Sequence, residues 1–248
     1  MPDEAAIPAA TLIVVRDGAL GEPPLILIVE RSAGMTFAGG ALVFPGGRID
    51  AQDYAMARDS ADGAARIAAI RETMEETAIP VGLNPLPASE LALQLQEQLR
   101  ADDPFAAVLE RHQLDLDPDM MVPLARWVPK FHARRRFDTL FFLARAPAGE
   151  WTPNAAEGEC AGAFWMSAAG VLERDRRGEA RLIFPTRRTL ERLAQHDSLD
   201  AMIADARAFP IAPITPWLEE HDGDRFITIP DGIGFPVTRE KLDGLWRG

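Results

Sequence analysis

Three glutamates stand close together in the segment Arg71-Glu72-Thr73-Met74-Glu75-Glu76. Good helix formers surround the segment, and successive helical residues are rotated by about 100°, so the three carboxylates are expected on one helix face. Clustered carboxylates offer the hard oxygen ligands that Mg²⁺ and Mn²⁺ prefer. Arg71 lies four positions before Glu75 and can hold that carboxylate in orientation. The alternative interpretation is a solvated acidic helix face.

The apolar side of the same helix favours the first interpretation. Ile67, Ile70 and Met74 are spaced three and four positions apart along residues 64–79, a pattern typical of an amphipathic helix. A helix with such a stripe packs against other elements of the protein. Its acidic face would therefore have a fixed place in the fold.

The elements before this helix are predicted to be strands and a loop. Apolar, β-branched runs at 11–16 and 24–31 indicate two strands separated by turn residues. A further brief strand enters the glycine-rich segment Phe44-Pro45-Gly46-Gly47. Residues 50–63 are polar and read as irregular.

After the acidic helix, the pattern alternates between helices and strands. Residues 88–112 predict two helices split at Asp102-Asp103-Pro104, and Ser167 is the expected N-cap of a short helix. Mixed strands and helices indicate an α/β/α sandwich with a mixed sheet, in a single domain over 1–248. A helical insert (about 84–119) and a C-terminal helical extension (about 180–248) would be added to it. Further strands are expected at 124–128, 138–144 and 163–166, and a further helix at 187–208.

Composition limits the compartment and the partners. The net charge of −12 disfavours nucleic acid as a partner, because such binding depends on Lys and Arg on phosphates. Cys160 is the single cysteine, so it cannot form an internal disulfide. The first ten residues carry no basic side chain, unlike a signal peptide, and no apolar run approaches a membrane span. We expect a cytoplasmic protein that acts on a small molecule; the oligomeric state stays open.

The acidic segment is similar to the signature of the Nudix hydrolase family, G-x5-E-x7-R-E-U-x-E-E-x-G-U, where U is a bulky aliphatic residue. Arg71-Glu72 matches RE, Glu75-Glu76 matches EE, Ile79 matches the final U, and Phe44 to Gly47 resembles the lead-in loop.

The segment also departs from the signature. Gly47 and Arg71 are ten positions further apart than the signature requires. Gly63, with Asp62 beside it, stands eight positions before Arg71, where the first signature glutamate is expected. Ala78 replaces the last glycine and Thr73 replaces the aliphatic residue after RE.

The resemblance implies an enzyme that hydrolyses a pyrophosphate bond with Mg²⁺ or Mn²⁺. The Gly46 carbonyl, Glu72, Glu75 and Glu76 would surround the metal ions, with Arg71 as part of the catalytic group and Glu72 as a candidate general base. In the family a further acidic residue from a later loop often assists. Glu159 is the candidate for that role and Glu157 the near alternative.

Weaker motifs concern the substrate. Arg31-Ser32, the segment 136–144 and Phe184-Pro185-Thr186 together resemble the Nudix branch that contains the animal peroxisomal coenzyme A diphosphatases. This resemblance implies CoA or acyl-CoA as substrate. ADP-ribose, NADH and nucleoside triphosphates remain alternatives within the family, and a non-catalytic, nucleotide-sensing module is an alternative of another class.

A basic cluster interrupts the acidic chain and comprises Lys130, His132, Arg134, Arg135 and Arg136. Arg135 and Arg136 are predicted to recognise substrate phosphates. The alternative is a charged hairpin edge that discourages strand pairing.

Overall fold

A computed structural model describes residues 6–35, 38–57, 62–128 and 136–242 of the chain. Of the predicted basic cluster only Arg136 falls in these ranges; Lys130, His132, Arg134 and Arg135 lie outside them. The strands are β1 (Ile7–Arg16), β2 (Leu25–Arg31), β3 (Leu42–Val43), β4 (Gly46–Arg48), β5 (Leu83–Asn84), β6 (Asp115–Leu116), β7 (Val122–Trp127), β8 (Phe137–Arg145), β9 (Cys160–Ser167), β10 (Pro213–Ile214), β11 (Trp217–His221), β12 (Asp224–Thr228) and β13 (Arg239–Lys241). The α-helices are α1 (Ala51–Met56), α2 (Gly63–Thr77), α3 (Ser89–Arg100), α4 (Phe105–Arg111), α5 (Ala168–Arg176), α6 (Phe184–Leu193) and α7 (Leu199–Ala208).

A mixed sheet forms the centre of the fold. Its main order is β10-β7-β8-β1-β2-β3, with β4 also paired to β1 and β9 also paired to β2. The β1–β8 and β7–β10 pairs are parallel and the other pairs are antiparallel. β1 pairs with β2 only at its carboxyl end, at Val15 and Arg16, while residues 9–11 pair with β4. The glycine-rich segment is thereby fixed against the first half of β1.

The two faces of the sheet are covered by different helices. Alternate residues of β1 point to opposite faces: Leu12 and Val14 belong to the core shared with α2, α3 and α4. Ile13 and Val15 belong to the core shared with α5, α6 and α7. This arrangement confirms the predicted α/β/α sandwich with a mixed sheet. No helix in the described ranges is both long enough and apolar enough to cross a membrane.

The insert agrees with the sequence pattern. α3 and α4 are separated at Asp102-Asp103-Pro104, and Asp102 has a left-handed φ of 61° at the break. The predicted N-cap is also confirmed, since the Ser167 side chain accepts a hydrogen bond from the Gly170 amide at 3.1 Å.

Three sequence predictions were wrong or incomplete in detail. Residues 50–63 are not irregular throughout, because α1 forms there with an Asp50–Asp53 capping box. The helical stretch predicted at 187–208 is divided into α6 and α7, because Ser198 caps the start of α7. Beyond α7, the extension also contains the antiparallel sheet β11-β12-β13, for which the sequence offered no clear pattern.

Candidate active site

The acidic segment lies in the last turns of α2, as its periodicity predicts. Ile67, Ile70 and Met74 are buried in the core beneath the helix. The helix ends at Ala78, which adopts a left-handed conformation with φ 57° and returns a hydrogen bond to the Met74 carbonyl. Ala78 stands where the signature has glycine, so the substitution preserves the local turn. Packing on one side thus fixes the three glutamates on the other.

The glycine-rich segment allows two of these glutamates to approach the backbone. The Gly46 amide donates a hydrogen bond to Glu76 Oε2 at 3.0 Å. A Cβ at Gly46 would overlap the backbone of Ala10 and Thr11, and its φ of 153° lies in a region that other residues rarely adopt. A Cβ at Gly47 would lie about 2.5 Å from the Glu72 carboxylate. Gly46 is therefore required by its backbone contacts, whereas a side chain at Gly47 would displace the Glu72 carboxylate.

Arg71 is the centre of the charged network. Its buried guanidinium donates to both carboxylate oxygens of Asp53, each at 3.0 Å. The same group pairs with Glu72 at 2.9 Å and reaches Glu75 at 3.4 Å. It also donates to the Arg48 carbonyl at 3.1 Å. The predicted Arg71–Glu75 contact is present, but the bidentate pair with Asp53 is the better formed one.

Asp53 was missed by the sequence analysis. Counting back from Arg71 placed the first signature acid at Gly63, beside Asp62, but the Asp62 carboxylate is bound to Arg66 at 3.0 Å. Counting forward from Gly47, five residues intervene before Asp53, which is the signature spacing. The extra residues lie between Asp53 and Arg71. α1 positions the fully buried Asp53, whose carboxylate also accepts from the Asp50 amide at 2.8 Å.

Burial makes the three α2 carboxylates weak acids in the metal-free protein. It raises the pKa of Glu76 to about 8, with the charge of Glu72 as the next cause. Burial and the Glu72 charge likewise raise the pKa of Glu75 to about 7. Burial raises the pKa of Glu72, although the Arg71 charge opposes the shift. One guanidinium therefore does not fully compensate the negative charge of this cluster.

The donor set fits a hard divalent cation. Glu72, Glu75 and Glu76 supply carboxylate oxygens, and their raised pKa values indicate that additional positive charge would be favourable. In the part of the chain that is described, no three Asp, Glu, His or Cys side chains converge closely enough to enclose an ion as they stand. Glu72 and Glu75 are turned toward Arg71 instead.

Of the other predicted site residues, Glu159 and Arg136 border the same cleft. Glu159, exposed just before β9, lines it and is near enough for its charge to raise the pKa of both Glu75 and Glu76. Glu157 does not line it; its carbonyl accepts a hydrogen bond from Arg100. Arg136 lines the cleft at the start of β8. Arg135 lies outside the described residues.

The cleft extends well beyond the carboxylates and has a volume of about 1530 Å³. Its far part is lined by Phe184 and Arg187 of α6, together with Ile227 and Glu240 from the C-terminal sheet. Glu240 is ion-paired with Arg187 at 2.6 Å and with Arg188 at 2.9 Å, which fastens the sheet to α6. No sequence motif pointed to this contribution from the C-terminal residues.

Cys160 and Trp127 are both buried in the fold. Burial, followed by the charge of Glu76, raises the pKa of the Cys160 thiol to about 12, so the thiolate is disfavoured. Trp127 is buried, and its ring makes edge contacts with Phe184 and Phe235.

The α/β/α sandwich defines the class of the protein, together with one helix that contains a buried arginine and three glutamates. The NUDIX domain model matches residues 6–186, and the chain belongs to the Nudix family. No curated protein sequence matches the chain.

Solved structures of Nudix proteins resemble the chain to different extents. A Nudix hydrolase from Alicyclobacillus acidocaldarius is 28% identical with a TM-score of 0.71, and the match covers 81% of this chain and 96% of that one. A MutT Nudix hydrolase from Burkholderia pseudomallei is 18% identical, with a TM-score of 0.43 and coverage of 76% and 98%. The Nudix domain of Shewanella oneidensis NrtR, solved with ADP ribose, is 16% identical, with a TM-score of 0.44 and coverage of 77% and 88%. The family and the first structure support a hydrolase.

Replacing Asp53 tests which acid holds Arg71. Asp53→Asn leaves a buried guanidinium without its bidentate partner, so we expect the free energy of unfolding to fall by about 3 kcal/mol. Asp62→Asn removes a pair whose carboxylate is 34% exposed, and it should cost less than about 1 kcal/mol. Urea unfolding of both variants measures the difference. If both variants lose the same free energy of unfolding, Asp53 is not the acid that holds Arg71.

The raised pKa values predict how stability depends on pH. In the folded, metal-free protein Glu75 and Glu76 stay protonated up to about pH 7 and 8, whereas in the unfolded chain they ionise near 4.5. While these carboxyls are protonated, the folded protein does not bear the cost of burying their charges. Their contribution to the free energy of unfolding is therefore complete below the unfolded pKa and is lost as pH rises through the folded pKa values. In EDTA, the free energy of unfolding should fall by about 1 kcal/mol or more between about pH 6 and pH 8.5.

Glu76→Gln supplies the control for this pH dependence, because the amide keeps an acceptor for Gly46 but does not titrate. Its stability should depend less on pH over the same range. An equally steep fall in both proteins would contradict the assignment of the titration to Glu76.

Proposed function

We propose that the chain hydrolyses a pyrophosphate bond in a nucleoside-diphosphate-linked substrate, using Mg²⁺ or Mn²⁺. The observation that carries the proposal is that Arg71 pairs with Glu72 and Glu75, while Glu76 borders the same large cleft. Family membership supports it. A solvated acidic face does not explain why the helix end is buried and why an arginine is committed to it.

The residues that would hold the metal are Glu72, Glu75, Glu76 and the Gly46 carbonyl, with Glu159 as a further ligand or outer contact. When bound, the metal would supply positive charge at the pyrophosphate oxygens and would lower the pKa of the attacking water. Glu76 is kept in place by the Gly46 amide. Arg71 orients Glu72 and Glu75 through its own contacts.

In the proposed reaction, water adds its oxygen to one phosphorus atom while the bond from that atom to the bridging oxygen breaks. Glu72 accepts a proton from the water, and the bridging oxygen leaves with the second phosphate. A diphosphate-linked substrate gives two phosphate monoesters. A nucleoside triphosphate gives a phosphate monoester and inorganic diphosphate. Glu72 suits this role because its carboxylate lies against Gly47 and remains partly open to the cleft.

The far part of the cleft would take the group attached to the pyrophosphate. CoA or acyl-CoA is the substrate class suggested by the sequence motifs, but the comparisons lend that branch no support. ADP-ribose, NADH and nucleoside triphosphates belong in the same panel. Arg136, at the cleft, and Arg135 are proposed to bind the additional phosphates. We propose a cytoplasmic protein with a single domain.

A substrate panel with Mg²⁺ or Mn²⁺, with products identified by mass, tests the reaction and its substrate class together. Activity should disappear in EDTA and return when either metal is added. Full activity in the chelator would exclude the proposed mechanism. Tight nucleotide binding without turnover of any panel member would indicate a sensing module instead.

Glu76→Gln should lower kcat by about 100-fold or more, a barrier increase of at least ~2.7 kcal/mol. The melting temperature of the metal-free variant should stay the same or rise, because a buried carboxyl that ionises poorly is replaced by a neutral amide. Glu110→Gln, an exposed change on α4, is the matched control and should keep full activity. Near wild-type turnover by Glu76→Gln would remove Glu76 from the site, and inactivity caused by unfolding would make its role structural.

A further inference from the structure

The inward face of α3 contains one buried amide among apolar residues. Gln96 is 1% exposed and lies beside Ala92, Leu95 and Leu99, which belong to the core under the acidic helix. Burying an amide is unfavourable unless its hydrogen-bonding groups find partners. The partners of Gln96 therefore indicate what it does.

The hydrogen bonds of the Gln96 side chain lead to the acidic helix and to the segment before Glu159. Its Nε2 donates to the Glu75 carbonyl at 3.0 Å and to the Asn154 carbonyl at 2.8 Å. Its Oε1 accepts from Asn154 Nδ2 at 2.6 Å. Both amide hydrogens and the oxygen are thus used. Gln96 connects the helical insert, the last turn of α2 and the segment that leads to Glu159.

The same segment caps the carboxyl end of the acidic helix. The last carbonyls of an α-helix have no partner within the helix. Here the Glu75 carbonyl is taken by Gln96, the Glu76 carbonyl by the Ala156 amide at 3.1 Å, and the Thr77 carbonyl by the Asn154 amide at 2.8 Å. Residues 154–159, named here the acid loop, are thereby fixed to α2.

Two further contacts hold the rest of the acid loop. Arg100, one turn after Gln96 on α3, donates to the Glu157 carbonyl at 2.7 Å. The Glu159 carbonyl accepts from the Ser32 amide at 2.8 Å. Of the two side-chain contacts from α3, the Gln96 contact is buried and the Arg100 contact is exposed. Water can therefore replace the Gln96 contact less easily.

We propose that Gln96 is a positioning residue that fixes the acid loop, and through it Glu159, relative to Glu75 and Glu76. The helical insert would then have a function in the reaction, because it places an acidic side chain from another segment at the cleft. This inference rests on the proposed function, in that Glu159 is taken to act in hydrolysis.

Cys160 offers a measurement that does not depend on activity. It is the single cysteine, it is buried, and its amide is bonded to the Ala156 carbonyl of the acid loop at 2.9 Å. Its reaction with a disulfide reagent such as dithionitrobenzoate reports opening of the loop. Gln96→Met keeps the length and helix preference of the side chain but removes its hydrogen bonds. It should increase the labelling rate of metal-free protein about tenfold or more.

Gln98→Met is the matched control on the same helix. Among the described residues, the side-chain hydrogen bonds of Gln98 go to Arg111 and His112 within the insert. Its labelling rate should equal that of the wild type. Equal rates in all three proteins would overturn the proposal that Gln96 holds the loop.

A double-mutant comparison tests whether Gln96 acts through Glu159. On the best substrate of the panel, Gln96→Met and Glu159→Gln should each lower kcat about tenfold, and the double variant should be within about twofold of Glu159→Gln alone. The KM for substrate should change little. If the loss of kcat in the double variant equals the product of the two single losses, the result contradicts action through Glu159. A wild-type protein inactive on every substrate would overturn the proposed function, while the labelling comparison would still decide whether Gln96 fixes the loop.

Discussion

One buried guanidinium holds the acidic cluster together. Three glutamates on one turn of a helix repel each other, and burial raises the pKa of all three. Arg71 offsets this repulsion by contacting Glu72 and Glu75, while its own position is fixed by Asp53. Asp53 is fully buried, so its pair with Arg71 is shielded from water and does not involve the glutamates.

The sheet supplies the other half of this arrangement. β1 pairs with β2 at one end and with β4 at the other, which brings Gly46 and Gly47 beside the acidic helix. Any side chain at these two glycines would displace either β1 or the Glu72 carboxylate. The loop and the helix are thus matched in shape, and neither could form the site alone. The acid loop and Gln96 complete the enclosure at the carboxyl end of the helix.

Local patterns predicted much of this fold, and long-range contacts accounted for the errors. Apolar periodicity located α2, the two helices of the insert and most strands of the central sheet, because burial of one face imposes it. Asp53 was missed because an insertion of unknown position made the two ways of counting disagree. Gln96 meets Asn154 across 58 residues of sequence, and no local signal marks such a contact. The C-terminal sheet borders the cleft through Glu240, again without a motif.

The central claim is that the carboxylates around Arg71 bind a divalent metal. Anomalous diffraction from crystals soaked in Mn²⁺ tests it most directly, because the signal locates the ion without assumptions about the substrate. The account predicts Mn²⁺ at coordination distance from oxygens of Glu72, Glu75 or Glu76 and the Gly46 carbonyl, with Arg71 still paired to Asp53. Crystals saturated with Mn²⁺ that show no ion at these glutamates, or an ion bound elsewhere in the cleft, would contradict it.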